Sequence, residues 1–198
     1  ADGRVIAGAS VGGASGEAFL WKEETGMVGL GQPDGWSGVG ILSLSSDGTT
    51  VVGDGINWTK GAIEALRWRA DTGWTPLGHL TDRPDRVSVA SGVSPDGSFV
   101  VGRSTADVGE EAFVWSEDWG MRSVREVLLD FGIDTIDSGW ALSIATGVTV
   151  AGDTLIITGT GWNRNFPSHQ EAWIAHIPIP APVSLAPLAL AAASMRRR

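Results

Sequence analysis

Cysteine and tyrosine are both absent from the 198 residues. Without cysteine there is no disulfide framework, no thiolate zinc site and no cysteine nucleophile. Positive charge is scarce as well. Fourteen Lys and Arg stand against 23 Asp and Glu, a formal net charge of −9, and three of the fourteen are the terminal Arg196, Arg197 and Arg198. A surface this acidic repels phosphate backbones and argues against nucleic acid as a partner. No cofactor is indicated. Glycine is in excess, with 28 residues, about twice the usual share, beside ten tryptophans. Such a composition favours short strands and tight turns over a helical bundle. The length suits one domain, or at most two small ones.

The chain repeats itself. Asp2-Gly3-Arg-Val-Ile-Ala-Gly8, Asp47-Gly48-Thr-Thr-Val-Val-Gly53, Asp96-Gly97-Ser-Phe-Val-Val-Gly102 and Asp153-Thr-Leu-Ile-Ile-Thr-Gly159 recur at spacings of 45, 49 and 57. Each is followed by a second landmark: Glu17-Ala-Phe-Leu-Trp21, Glu64-Ala-Leu-Arg-Trp68, Glu111-Ala-Phe-Val-Trp115 and Glu171-Ala-Trp173-Ile-Ala175. A third closes the first three units, as Gly26-Met-Val-Gly-Leu30, Gly73-Trp-Thr-Pro-Leu77 and Gly120-Met-Arg-Ser-Val124. Three ordered landmarks at one period define a repeat protein.

Asp-Gly is a hairpin signal and predicts a type I′ turn, in which both central residues take positive φ. Short apolar runs precede it at 87–93 and 142–150, and a β-branched run ending in Gly follows it. In Glu-Ala-Phe-x-Trp the large residues alternate, so Phe19 and Trp21 are expected on one face of a strand. About four strands per unit predict an all-β, propeller-like array of about four repeats of roughly 47 residues, spanning 1–177. One insertion breaks the rhythm. Ser123-x-x-Glu126 is a capping box, Val127, Leu128 and Phe131 are apolar, and Gly132 stands at C′, which predicts a short helix over 123–131. The first unit lacks the strand before Asp-Gly and the fourth lacks the Gly-Met-x-x-Leu strand. A fragment of a longer array is the expected reading; a small closed ring is the alternative.

The order of these landmarks resembles the bacterial HAF repeat over residues 1 to about 177. Two departures occur, Gly152-Asp153 in place of Asp-Gly and Trp173 at the Phe position. The resemblance implies an extracellular protein and names no chemistry. Residues 178–198 form a tail of different character: prolines at 178, 180 and 182, thirteen uncharged residues from Val183 to Met195, then three arginines. A stretch of that length makes a helix of about 20 Å, short of the roughly 30 Å hydrocarbon core. Proline motif, short apolar segment and basic end together resemble the PEP-CTERM sorting signal. Here the motif reads Pro180-Ala181-Pro182, without its central glutamate, and Arg196, Arg197 and Arg198 form the cytoplasmic stop. That resemblance implies an exosortase-like membrane protease as a partner, transient membrane contact through the tail, and a cell-surface or extracellular location.

Candidate chemistry is sparse. Gly8-Ala-Ser10-Val-Gly12 has the spacing of a nucleophile elbow, but it lacks the strand-turn-helix context and its sister units do not keep the serine. His79, His169 and His176 share no metal-ligand spacing, and one aspartate per turn is a poor calcium set. Asn57-Trp-Thr59 has the form of a glycosylation acceptor. The recurring Glu17, Glu64, Glu111 and Glu171 admit two readings: a local bond in each unit, or carboxylates on a common rim acting on a glycan. The repeat-position tryptophans Trp21, Trp68, Trp115 and Trp173 are expected in packing. Trp36, Trp58, Trp119, Trp140 and Trp162 lie outside the repeat; packing between units is one reading of them, and any exposed ones could stack on sugars. The expectation is therefore a non-enzymatic, secreted or cell-surface repeat protein of structural, adhesive or interaction role, with an unidentified extracellular ligand. The alternative is a glycan-binding or glycan-hydrolysing propeller that uses the recurrent Glu and Trp.

Overall fold

The computed structural model describes residues 3–10, 17–165 and 169–179. Asp2, Pro180, Ala181, Pro182 and Arg196, Arg197 and Arg198 lie outside the described residues, as do Val11 and Gly12 of the elbow-like motif.

The repeats become four antiparallel meanders. The first contains β1 (Val5–Ser10), β2 (Glu17–Lys22) and β3 (Gly26–Gly29). The second contains β4 (Trp36–Leu44), β5 (Thr50–Asn57), β6 (Ala62–Arg69) and β7 (Gly73–Gly78). The third runs through β8 (Ser88–Val93), β9 (Val100–Ala106), β10 (Gly109–Ser116) and β11 (Gly120–Ser123), and continues into α1 (Val124–Asp130). The fourth contains β12 (Trp140–Ala151), β13 (Thr154–Asn163) and β14 (Gln170–Pro178). The two end sheets have three strands each. Among the described residues the first has no counterpart of β4, β8 and β12, and the fourth has none of β3, β7 and β11, as the landmarks predict.

The sheets stack face on face. Ala18 of the first sheet shares a core with Val39 and Leu66 of the second, joined by Trp36 and Trp74. Phe113 and Trp115 share another with Val52, Ala65 and Leu77 of the second sheet. Ala112 and Val114, one residue out of phase, pack instead with Leu142, Ala145, Leu155 and Ile157 of the fourth. The period-two alternation of Glu-Ala-Phe-x-Trp thus sends alternate residues into different cores. A strand buried on both faces needs a continuous apolar run, and Ala112 to Trp115 supply one.

The register explains the first two landmarks together. The glycine ending the β-branched run faces the large residue of the next strand: Gly8 opposite Phe19, Gly53 opposite Leu66, Gly102 opposite Phe113 and Gly159 opposite Trp173. A Cβ on Gly102 would collide with the Val89 carbonyl oxygen and stand 2.8 Å from the Phe113 ring. The bulge between Ala90 and Gly92 brings that carbonyl inward, and only glycine leaves room for it.

The turns are not type I′. Among the described residues none other than glycine takes positive φ, so Asp47 and Asp96 do not have the geometry that turn requires. Instead Ser45, four residues and Thr50 make a wider loop, with the Ser45 amide donating to Thr50 O (2.9 Å) and the Gly48 amide to Ser45 O (2.9 Å). Gly48 alone is left-handed, at φ +70°. Asp47 Oδ1 accepts from Ser45 Oγ (2.5 Å), Thr49 N (3.0 Å) and Thr49 Oγ1 (2.8 Å), and Ser45 Oγ accepts from Thr50 N (2.9 Å). Ser94, Asp96 and Ser98 repeat the arrangement. The serine two residues before Asp-Gly captures the aspartate, a side-chain loop that competes with the tighter turn. In the fourth unit Ala151 pairs directly with Thr154, and Gly152 takes φ +62° in a two-residue turn with the sign pattern of type II′.

α1 covers seven residues, with Ser123 as its N-cap and Phe131 as its C-cap. Ser123 Oγ accepts from Glu126 N at 3.0 Å, and Gly132 follows at φ +77°. Val124, Val127 and Leu128 bury against the third and fourth sheets.

Candidate functional site

The recurring glutamates sit in equivalent strand positions and in unequal surroundings. Glu64 is 1% exposed and takes Asn57 Nδ2 at 3.2 Å and Lys60 Nζ at 3.1 Å. Both partners belong to its own unit. Glu111 is 8% exposed, and its Oε1 accepts from Arg125 Nε at 2.8 Å. Glu17 is exposed beside Gly29, and Glu171 is half-buried on β14. Among the described residues no hydrogen bond or ion pair joins one of these glutamates to another.

Asn57 is spent in the same network, since its Oδ1 accepts from Lys60 N at 3.2 Å and the side chain is buried. Its glycosylation spacing therefore coincides with a structural role. Ser10 ends β1, paired with Glu17. His79 bonds the Ile63 carbonyl through Nε2 (2.9 Å), and burial chiefly lowers its pKa. His169 and His176 are exposed on the fourth unit. Among the described residues no group of three or more His, Asp or Glu is placed to hold a metal ion, and no helix is long and apolar enough to cross a membrane.

The repeat-position tryptophans pack. Trp115 is 8% exposed, with the Arg67 guanidinium 4.6 Å from its ring centroid, while Trp21, Trp68 and Trp173 are half-buried. Arg67 is itself 3% exposed and reaches Glu117 Oε1 at 2.6 Å. Of the others, Trp36, Trp119 and Trp140 are half-buried, whereas Trp58 is 67% and Trp162 is 43% exposed. Trp58 anchors to Ser37 Oγ through its indole N–H (2.8 Å).

Trp140 and Trp162 both line one cleft. A cleft of about 440 Å³ opens between the third and fourth sheets, within the size range of small-ligand sites. Trp140, Trp162, Glu110, Glu111, Arg125 and Arg164 line it. Trp140 starts β12 opposite Asn163, and Trp162 lies next along β13, opposite Ala141. The inserted segment supplies the rest: Arg125 from the first turn of α1, and Ile136 and Gly139 from the loop after it. That loop is fixed by Asp134 Oδ1, which accepts from Ile136 N (2.8 Å) and Asp137 N (3.1 Å), and the Gly139 carbonyl accepts from Arg164 N (2.9 Å). Glu111 pairing lifts the Arg125 pKa further, so its charge is permanent. Sequence reasoning found both tryptophans and Glu111 but missed Arg125, Asn163 and Arg164. None of these three sits in a repeated landmark, and the inserted helix was the only available signal.

No family model matches the chain, and no curated protein does. Solved structures do resemble it. A chain assigned as TolB from Agrobacterium tumefaciens superposes with a TM-score of 0.53 at 14% identity, covering 90% of this chain and 64% of that one. TolB from Acinetobacter baumannii superposes at 0.49 with 14% identity, covering 89% and 41%. The present chain therefore spans less than two thirds of either. The first likeness supports an all-β fold of four antiparallel sheets similar to that of the Agrobacterium chain.

Proposed function

We propose that this is a non-catalytic repeat protein of the cell surface or extracellular space, with an interaction or adhesive role, whose ligand binds the cleft between the third and fourth sheets. One observation carries the reading: the cleft forms where the repeat is broken. Insertions into repeat proteins tend to build their binding faces, while the repeated residues hold the scaffold. Here Glu64 is consumed by its own unit, and only the inserted α1 brings Arg125 to Glu111 and opens a cleft beside two tryptophans.

The address rests on the sequence of the tail. The Pro180-Ala181-Pro182 motif, the uncharged run and the terminal arginines support recognition by an exosortase-like membrane protease, with transient anchoring before release to the surface. Intact-mass analysis of surface, membrane and medium fractions from the native host tests this. A mass ending near Pro182 in the surface or medium fraction is expected. A full-length mass confined to the cytoplasm would overturn it.

A further inference from the structure

We infer that the cleft between the third and fourth sheets takes a neutral glycan, with Trp162 as the stacking platform. The inference rests on the proposal that this cleft is the binding site, and it adds the chemical class of the ligand.

The lining is aromatic and ionic at once. Trp162 presents an exposed indole, and Trp140 lies half-buried close by along the same hairpin. A flat apolar face next to planar hydrogen-bonding groups suits a sugar ring, which has a C–H face on one side and hydroxyls around its edge.

The free polar atoms fit the same ligand. Glu111 uses Oε1 for Arg125, and no hydrogen bond is made to its Oε2 among the described residues. Asn163 accepts from Asn165 N through Oδ1 (2.9 Å), which leaves its amide NH₂ as an unused donor among the described residues. Arg164 forms no ion pair among the described residues. Acceptor, amide donor and guanidinium thus remain for vicinal hydroxyls.

Charge selects the class. Glu110 is paired with Arg103, and Arg125 is paired with Glu111 and lies 3.8 Å from Glu126, so that with Arg164 the lining and the charges touching it sum to zero within a protein of net charge −9. A phosphorylated or uronic ligand would meet no excess of positive charge, and a basic peptide no excess of negative charge. An uncharged, hydroxyl-rich ligand makes the best use of what is there.

The test follows the ten indole N–H signals of the intact chain by two-dimensional NMR during titration with five probes: hexamers of β-1,4-glucose, β-1,4-N-acetylglucosamine and β-1,4-xylose, a hexaglutamate peptide and a hexalysine peptide. At least one hexamer is expected to shift Trp162 and Trp140 while Trp58, exposed elsewhere, stays put. Trp162→Ala should weaken that binding about tenfold or more, and Trp58→Ala should leave it unchanged. The remaining indole signals report that each variant is folded. No shift with any hexamer, or shifts centred on Trp58, would overturn the inference. So would binding that survives Trp162→Ala. A shift at Trp162 produced only by an acidic or basic peptide would also overturn it, while leaving the cleft as a binding site. Shifts at Trp162 with release of new reducing ends would keep the glycan and overturn the non-catalytic reading.

Discussion

At the scale of single residues, two features of the repeat unit carry most of its specificity. Asp47 and Asp96 sit in loops where partial burial pushes their pKa up, while hydrogen bonds from the neighbouring Ser and Ser/Thr hydroxyls and amides outweigh it and hold them below the ordinary 3.8. A depressed folded-state pKa stabilises the fold above the unfolded value, and that contribution fades as pH falls through the folded value. Urea midpoints should therefore be flat on this account above about pH 5 and decline below about pH 4. Asp96→Asn should flatten the decline. Asp96→Ala should cost about 1–2 kcal/mol at neutral pH, read from the same urea curves. The second feature is steric. Gly102 lies against the Val89 carbonyl and the Phe113 ring, so Gly102→Ala should cost about 3 kcal/mol or more, or prevent folding, as circular dichroism would report.

At the scale of elements, the repeat was legible because its signals are local. Turn residues, the Val-Val-Gly run and the alternation in Glu-Ala-Phe-x-Trp each act within one hairpin, so four sheets and the strands missing at either end could be read directly. Asp-Gly by itself does not fix the turn type. Ser45 and Ser94, two residues earlier, divert the aspartate into a wider loop. The inserted helix was legible from its cap and its terminal glycine. Half of the capping box forms: Ser123 Oγ takes the Glu126 amide, while the Glu126 carboxylate lies 3.8 Å from Arg125 Nη2. Ser123→Ala should cost about 1 kcal/mol, measured by thermal unfolding. Arg125→Ala leaves Glu111 buried without its partner and should cost about 2 kcal/mol in the same measurement. The cleft was not legible. Arg125 comes from α1 and Asn163 and Arg164 from the end of β13, two segments that only the packing of the fourth sheet on the third brings together.

At the scale of the whole molecule, the four sheets are joined at three successive apolar interfaces among the described residues. The second and third sheets are buried on both faces, and this requires the glycine and alanine positions that keep neighbouring sheets close. Stability in such a stack is shared between units and interfaces, and on the proposed reading the recurring residues chiefly serve the scaffold, Glu111 being the one recurring glutamate that also lines the cleft. Glu64 is the sharpest place to ask whether that division holds, because it is buried, recurrent and distant in sequence from the insertion. The measurement is scanning calorimetry of Glu64→Gln beside assays for sugar release from glycans by both proteins. Loss of the Lys60 pair should lower Tm by about 3–6 °C, and neither protein should release sugar. Sugar release by the unmodified protein, abolished in Glu64→Gln at an unchanged Tm, would contradict the structural role of the recurring glutamates.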